Sequence, residues 1–209
     1  MFSLNLKNIF QSRDRLRVTV IDSGLGGITF ADNIKKNFID LEVSLLIDKE
    51  GFPYGHKEID WLKERLESLV NNSKTNVIFI ACNTLSSLIF YYDLKFKKTV
   101  VDVITPTIYF LNSNNYQNIC ILATKNTIKM GIYSKLVDKK ITYIDSTELI
   151  SDLEYKIDFK TNLNDIIKLI DKNSDLVILG CTHLIAIKEE FRKTLNMEVL
   201  SQDEIFFQI

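Results

Sequence analysis

The stretch VIFIACNTLSS, residues 77–87, is an apolar run that reads as a buried strand and stops on Cys82, followed at once by Asn83 and Thr84. The stretch LVILGCTHLIA, residues 176–186, repeats the arrangement with Cys181, Thr182 and His183. A strand apolar on both faces is expected in a parallel sheet covered by helices on each side. A polar cluster straight after such a strand then falls at the carboxyl edge of the sheet, where open α/β sheets bind ligands.

Other runs extend the pattern. Segments 17–21, 43–47, 99–104, 118–123 and 140–144 read as strands, with 76–81 and 175–180 around the two cysteines. Between them the apolar spacing predicts helices over 27–37, 57–71, 84–93, 126–137, 161–172 and 183–195. Alternation of this kind argues for an α/β fold with parallel sheets and right-handed crossovers. There is also an internal echo: VTVIDSGLGG near the start is similar to ICILATKNT at 119–127, and VIFIACNTL is similar to LVILGCTHL. Two pseudo-symmetric α/β halves of similar build, each supplying one polar loop and one strand-end cysteine, follow from it. We expect residues 1–104 with 197–209 to build the first and 105–196 the second.

Composition narrows the function classes. Residues that are 46% hydrophobic and 25% charged suit a globular chain with a core. A net charge of −1 gives no electrostatic reason to expect nucleic acid or a membrane surface as partner. No apolar run approaches a bilayer span, and lysine and aspartate interrupt the N-terminal stretch too soon for a signal-peptide core. The expected compartment is the cytoplasm. Three cysteines with no CxxC match no compact zinc pattern, so free thiols and no metal are expected.

Each motif alone is ambiguous. Asp22 to Gly27, DSGLGG, lacks the third glycine of a dinucleotide fingerprint, since Thr29 stands there. A tight strand-to-helix turn explains its glycines but not why Asp22 and Ser23 both sit at the strand mouth. GFPYGHK at 51–57 is a turn by default, with amides able to meet a carboxylate. Cys120, inside NICILA, reads as a small buried hydrophobe. Cys82 and Cys181 differ, because each precedes polar residues at a helix start, where the positive helix end favours thiolate.

Inverting a carbon stereocentre by proton transfer needs a base on one face and an acid on the other. Two thiols suit it, because a cysteine titrates near cell pH and the pair can hold one proton between them. Asp22 beside one thiol and His183 beside the other would assist. A hydrolase with one Cys–His pair is the competing enzyme class, and it leaves the second cysteine unexplained.

Taken together, VIDSGLGG, FPYGHK, IACNT, ATKNTIKMGIY and LGCTH occur in the order found in cofactor-independent glutamate racemases, and residues 17 to about 185 resemble that family. The resemblance implies interconversion of L- and D-glutamate without pyridoxal phosphate or metal, in a cleft between two α/β domains, with the D-glutamate feeding peptidoglycan. It implies Cys82 and Cys181 as the paired bases, Asp22 assisting Cys82 and His183 assisting Cys181. Ser23, Asn83, Thr84 and Thr182 would bind ammonium and carboxylates, Pro53, Tyr54 and Gly55 would surround the side chain, and Thr124 and Thr127 match positions of a second-domain loop. The chain departs from the family in Leu184 and Ile185 after LGCTH and in Asn126. It departs again in IDSTELI at 144–150, which offers Glu148 for a family glutamate beside the site. Racemisation of aspartate or another amino acid, or binding without catalysis, are the alternatives. A partner subunit, as in a homodimer, is one way to cover apolar surface near a shortened first domain.

Overall fold

The computed structural model describes residues 16–208; the N-terminal run judged against a signal peptide and the terminal Ile209 lie outside the described residues. Two four-stranded sheets form, and every strand pairing in them is parallel. The first has the order β2-β1-β3-β4, from β1 (Arg17–Asp22), β2 (Glu42–Ile47), β3 (Val77–Ile80) and β4 (Thr99–Asp102). The second has the order β6-β5-β7-β8, from β5 (Asn118–Ala123), β6 (Lys140–Asp145), β7 (Leu176–Leu179) and β8 (Glu198–Ser201). The echo seen in the sequence is therefore topological, with β1 matching β5 and β3 matching β7. All four residues of β3 and of β7 are buried, as strands covered on both faces must be.

Helices α1 (Gly26–Asn37), α2 (Ile59–Asn72), α3 (Asn83–Tyr91) and α4 (Ile104–Ser113) follow the strands of the first half. The second half carries α5 (Lys125–Met130), α6 (Ile132–Leu136), α7 (Thr147–Tyr155), α8 (Lys160–Leu169), α9 (Lys188–Thr194) and α10 (Gln202–Gln208). An apolar cluster runs without a break from Leu62 and Leu66 of α2 through Ile78 and Ile80 of β3 to Ile119, Ile121 and Ile178 of the second sheet. The two sheets thus share one core on one side and leave a cleft at their carboxyl edges.

Several expectations need correction. The helix expected over 126–137 is two helices, because Gly131 adopts the left-handed conformation (φ 63°) that ends α5 and starts α6. The helix expected over 183–195 opens as a 3-10 turn, Thr182–Ile187, before α9. Helices α4, α7 and α10 were not foreseen. Pro106 sits in the first turn of α4, where a missing N–H costs nothing, and Asp102 Oδ1 accepts from the amides of Ile104 and Thr105 at 2.8 and 2.7 Å.

The tail is the largest correction. Residues 198–201 were assigned with the first domain, but they pair with β7 as the edge strand of the second sheet. That edge would otherwise leave the β7 ladder unpaired on one side. Only α10 crosses to the first half, where Phe206 makes edge-to-face contacts with Phe30 and Phe79 at 5.4 and 5.8 Å between ring centres. Phe206 is fully buried, so Phe206→Ala should cost about 3–5 kcal/mol of stability through the cavity it leaves. A lower denaturant midpoint with an unchanged slope would register that loss, whereas an unchanged midpoint would mean the tail is not part of the core.

Candidate active site

Each half contributes to the cleft by the same local logic. A buried strand ends, and the chain turns at the carboxyl edge of the sheet into polar residues. Cys82 and Cys181 occupy these points, immediately before α3 and immediately before the 3-10 turn Thr182–Ile187. Both line one cavity of about 20 Å³, together with Ser23, Pro53, Tyr54, Gly55, Asn83, Thr84, Thr124, Thr182 and His183. Asp22 and Thr127 lie just behind this lining. Phe52, Thr147 and Ile150 also face the cavity and were not anticipated. A volume of this size accommodates a water or so.

The contacts that close the cleft cross from one half to the other. Thr182 Oγ1 donates to Asp22 Oδ2 at 3.0 Å, and the Leu25 amide donates to Glu154 Oε2 at 2.7 Å. Thr84 Oγ1 lies 2.8 Å from Thr124 Oγ1, which is 3.0 Å from Thr127 Oγ1. Asn126 Nδ2 donates to the carbonyls of Tyr54 and Lys57 at 2.7 and 2.8 Å. This last pair gives the unusual residue at position 126 a purpose, since it ties the second half to the 51–57 turn. Gly26 must be glycine because a Cβ there would collide with Thr182 Oγ1 and the His183 amide. A Cβ on Gly24 would strike Glu154 and His183 in the same way.

The 51–57 turn is held from behind. Arg65 Nε donates to Asp48 Oδ2 at 2.7 Å, and the Tyr54 hydroxyl donates to the same oxygen. Burial pushes the Asp48 carboxyl up, but the hydrogen bonds from Arg65 and Tyr54 outweigh it and hold the group below its ordinary range.

The two thiols have different electrostatic settings. Around Cys82, burial and the nearby Asp22 carboxyl push the thiol well above its ordinary value, against the smaller pull of the Leu85 amide and Ser23. The Ser23 hydroxyl lies 3.9 Å from its sulfur. Asp22 is itself fully buried, and desolvation raises it despite His183, the Gly24 amide and Thr182. On the other side, Cys181 Sγ lies 3.6 Å from His183 Nδ1, and His183 Nε2 lies 2.7 Å from Glu154 Oε2. Burial works against a charged His183, but its hydrogen bonds to Cys181 and Glu154 prevail and carry it up to about 10. Glu154 is desolvated too, yet the His183 and Leu25 hydrogen bonds bring it below the ordinary carboxylate range.

Glu154 was missed from sequence. The order of motifs had offered Glu148, but its side chain is 74% exposed and faces only His56 at 3.6 Å. Helix α7 carries Glu154 under His183, and the ring of Phe52 lies 5.7 Å from the imidazole. A second reading of TELISDLEY as a helix would have offered the later carboxylate. Among the described residues no cluster of three or more metal-binding side chains occurs, and no helix is long and apolar enough to cross a membrane.

Comparison with known proteins gives the chain its relatives. No family model matches it. A glutamate racemase of Buchnera aphidicola subsp. Schizaphis graminum is 31% identical over 203 residues, which is 86% of this chain and 77% of that protein. Among solved structures, glutamate racemase from Campylobacter jejuni superposes with a TM-score of 0.82 at 22% identity, over 92% of this chain and 84% of that one. Escherichia coli glutamate racemase, solved with L-glutamate and the activator UDP-MurNAc-ala, gives a TM-score of 0.74 at 26% identity, over 93% and 80% of the two chains.

The imidazolium makes a pH prediction. His183 stays charged in the folded protein up to about pH 10, against about 6.5 when unfolded. Its stabilisation is therefore complete below about pH 6.5 and disappears as the pH climbs toward 10. The Glu154 contribution is present above about pH 4.5 and disappears as the pH falls through its lowered folded value. The melting temperature of the wild type should exceed that of His183→Gln most at about pH 5–6, with the gap shrinking steadily toward pH 10. A gap that widens with rising pH would mean the imidazole is buried neutral.

Proposed function

The chain belongs to the glutamate racemase family, and we propose that it interconverts L- and D-glutamate by passing the α-proton between Cys82 and Cys181. What carries the proposal is that the two thiols stand at equivalent strand ends of two matched sheets and line one cavity. A bound amino acid between them presents opposite faces of its α-carbon to the two sulfurs. The Escherichia coli relative, whose structure holds L-glutamate, supports glutamate as the substrate.

Charge distribution suggests how the pair rests. The His183 imidazolium, anchored by Glu154, lies beside Cys181 at 3.6 Å, where its charge favours a sulfur that has given up its proton, while burial and Asp22 keep Cys82 as the thiol. The thiolate takes the α-proton of one enantiomer, and its C–H electron pair stays on a planar carbanion conjugated with the carboxylate. Cys82 then delivers its proton to the opposite face, becoming the thiolate that starts the return reaction. Asp22 and His183 stabilise whichever sulfur is short of a proton in the exchange. Ser23, Thr84, Thr124 and Thr182 supply hydroxyls for the ammonium and carboxylates, with Thr127 behind them, and Pro53, Tyr54 and Gly55 border the side chain. This chemistry uses no cofactor. The D-glutamate made this way would supply peptidoglycan synthesis in the cytoplasm.

Proton NMR of L-glutamate in heavy water is the direct test. The wild type should erase the α-proton signal, and Cys82→Ser or Cys181→Ser should slow racemisation by at least about a thousandfold, the scale of losing a positioned acid or base. A Cys181→Ser protein that racemises near the wild-type rate would rule out the two-thiol mechanism.

A further inference from the structure

Directly beside Cys82, the side chain of Asn83 does not stand alone. It is paired with Gln202, the first residue of α10, from the far end of the chain and 2% exposed. Asn83 Nδ2 donates to Gln202 Oε1, and Gln202 Nε2 lies 3.1 Å from Asn83 Oδ1, so the two amides meet head to tail. Tyr133 of α6 closes the ring: Gln202 Nε2 donates to its hydroxyl at 2.7 Å, and that hydroxyl donates to Asn83 Oδ1 at 2.9 Å. Gln202 Nε2 is also 3.2 Å from Thr107 Oγ1 and 3.5 Å from the Val103 carbonyl.

These neighbours fix the amide directions. Turning both amides over together would set the Gln202 oxygen against the Val103 carbonyl and against Thr107 Oγ1, whose own hydrogen is given to that carbonyl, two groups with no proton to give. With Gln202 so oriented, Asn83 Oδ1 faces two donors, which fill its two lone pairs. Asn83 Nδ2 has spent one hydrogen on Gln202 and retains the other. Asn83 lines the cavity. Its remaining hydrogen-bonding capacity there is a single N–H.

We propose that Gln202 is a positioning residue, which locks the Asn83 amide so that position 83 donates to a substrate carboxylate and does not accept from the ammonium. The proposal rests on the racemase reading above for its substrate. It assigns a role in binding to the tail of the chain, through a residue that touches no substrate. Thr107, Tyr133 and the Val103 carbonyl keep the Gln202 amide in register, so the lock draws on elements of both halves.

The test measures glutamate affinity by titration calorimetry and, separately, KM and kcat for racemisation by circular dichroism, on the full chain. Gln202→Met keeps the length and burial but removes every hydrogen bond. It should weaken glutamate binding and raise KM about tenfold, the scale of one hydrogen bond to a charged group. The same variant should leave kcat within about threefold, because the thiols are untouched. Asn83→Ala should weaken binding to a similar degree, and adding Gln202→Met to it should cost little more, since the two residues act as one unit. Should Gln202→Met fold poorly, Gln202→Glu serves in its place: it keeps the shape, removes both donors and should show the same split. Affinity within twofold of wild type in either variant, or effects that multiply in the double variant, overturns the proposal. Glutamate that binds the wild type without turning over would overturn the racemase reading alone, because the affinity measurement does not need catalysis.

Discussion

One carboxylate oxygen joins the two halves at the site. Glu154 Oε2, on α7 of the second half, accepts from His183 Nε2 and from the Leu25 amide of the first half. A carboxylate and an imidazolium drawn out of water together are tolerable only when each has its partner. Leu25 adds the donor that the closed cleft alone can provide. Closure therefore completes the surroundings of the same ion pair that holds a proton near Cys181. Were the halves to part, Glu154 would keep His183 and lose Leu25, and water would have to replace that donor. Access for an amino acid and the electrostatics of one thiol are tied through this oxygen.

The glycines of the first loop follow from the same constraint. Gly24 and Gly26 leave no Cβ where Glu154, His183 and Thr182 come in. The sequence feature that looks like a phosphate loop is instead a surface flattened to receive the opposite half. The backbone there needs close approach more than unusual torsion angles, since neither residue has a positive φ.

Much of this was legible before the structure. The all-apolar strands ending on Cys82 and Cys181 announced parallel sheets, and the echo between the halves announced their matched topology. Periodicity reports a helix best when it is long and carries one apolar stripe. Helix α7 is short, and the tail strand β8 has four residues, so neither rose above its surroundings. The echo itself held the missing strand: if β4 closes the edge beside β3, a counterpart is required beside β7. The Asn83–Gln202 pair was out of reach for another reason. Its members are 119 positions apart in the chain, and only the crossing of α10 back to the first half brings them together.

A duplicated fold gives two strand ends that are equivalent in backbone and leaves the neighbours to make them unequal. Two identical thiols in one cavity with identical surroundings would share a proton with no preference for either. Here Asp22 and burial weigh against charge at Cys82, while a paired imidazolium faces Cys181. Strongly interacting groups lose and gain protons as a pair, so on the two-thiol mechanism proposed above the quantity the site controls is where one proton rests between two sulfurs. On the racemase reading this resting place sets which enantiomer the free protein is ready to receive, and each turnover leaves the proton on the other sulfur. The imbalance must then be small enough for the reverse arrangement to be reached in every cycle. Asp22 answers this need from inside the cleft: desolvation holds it above the ordinary carboxylate range, while its hydrogen bond from Thr182 joins it to the loop of the opposite thiol. On that mechanism the buried acid on one side and the ion pair on the other act on a single proton through a pair of facing loops.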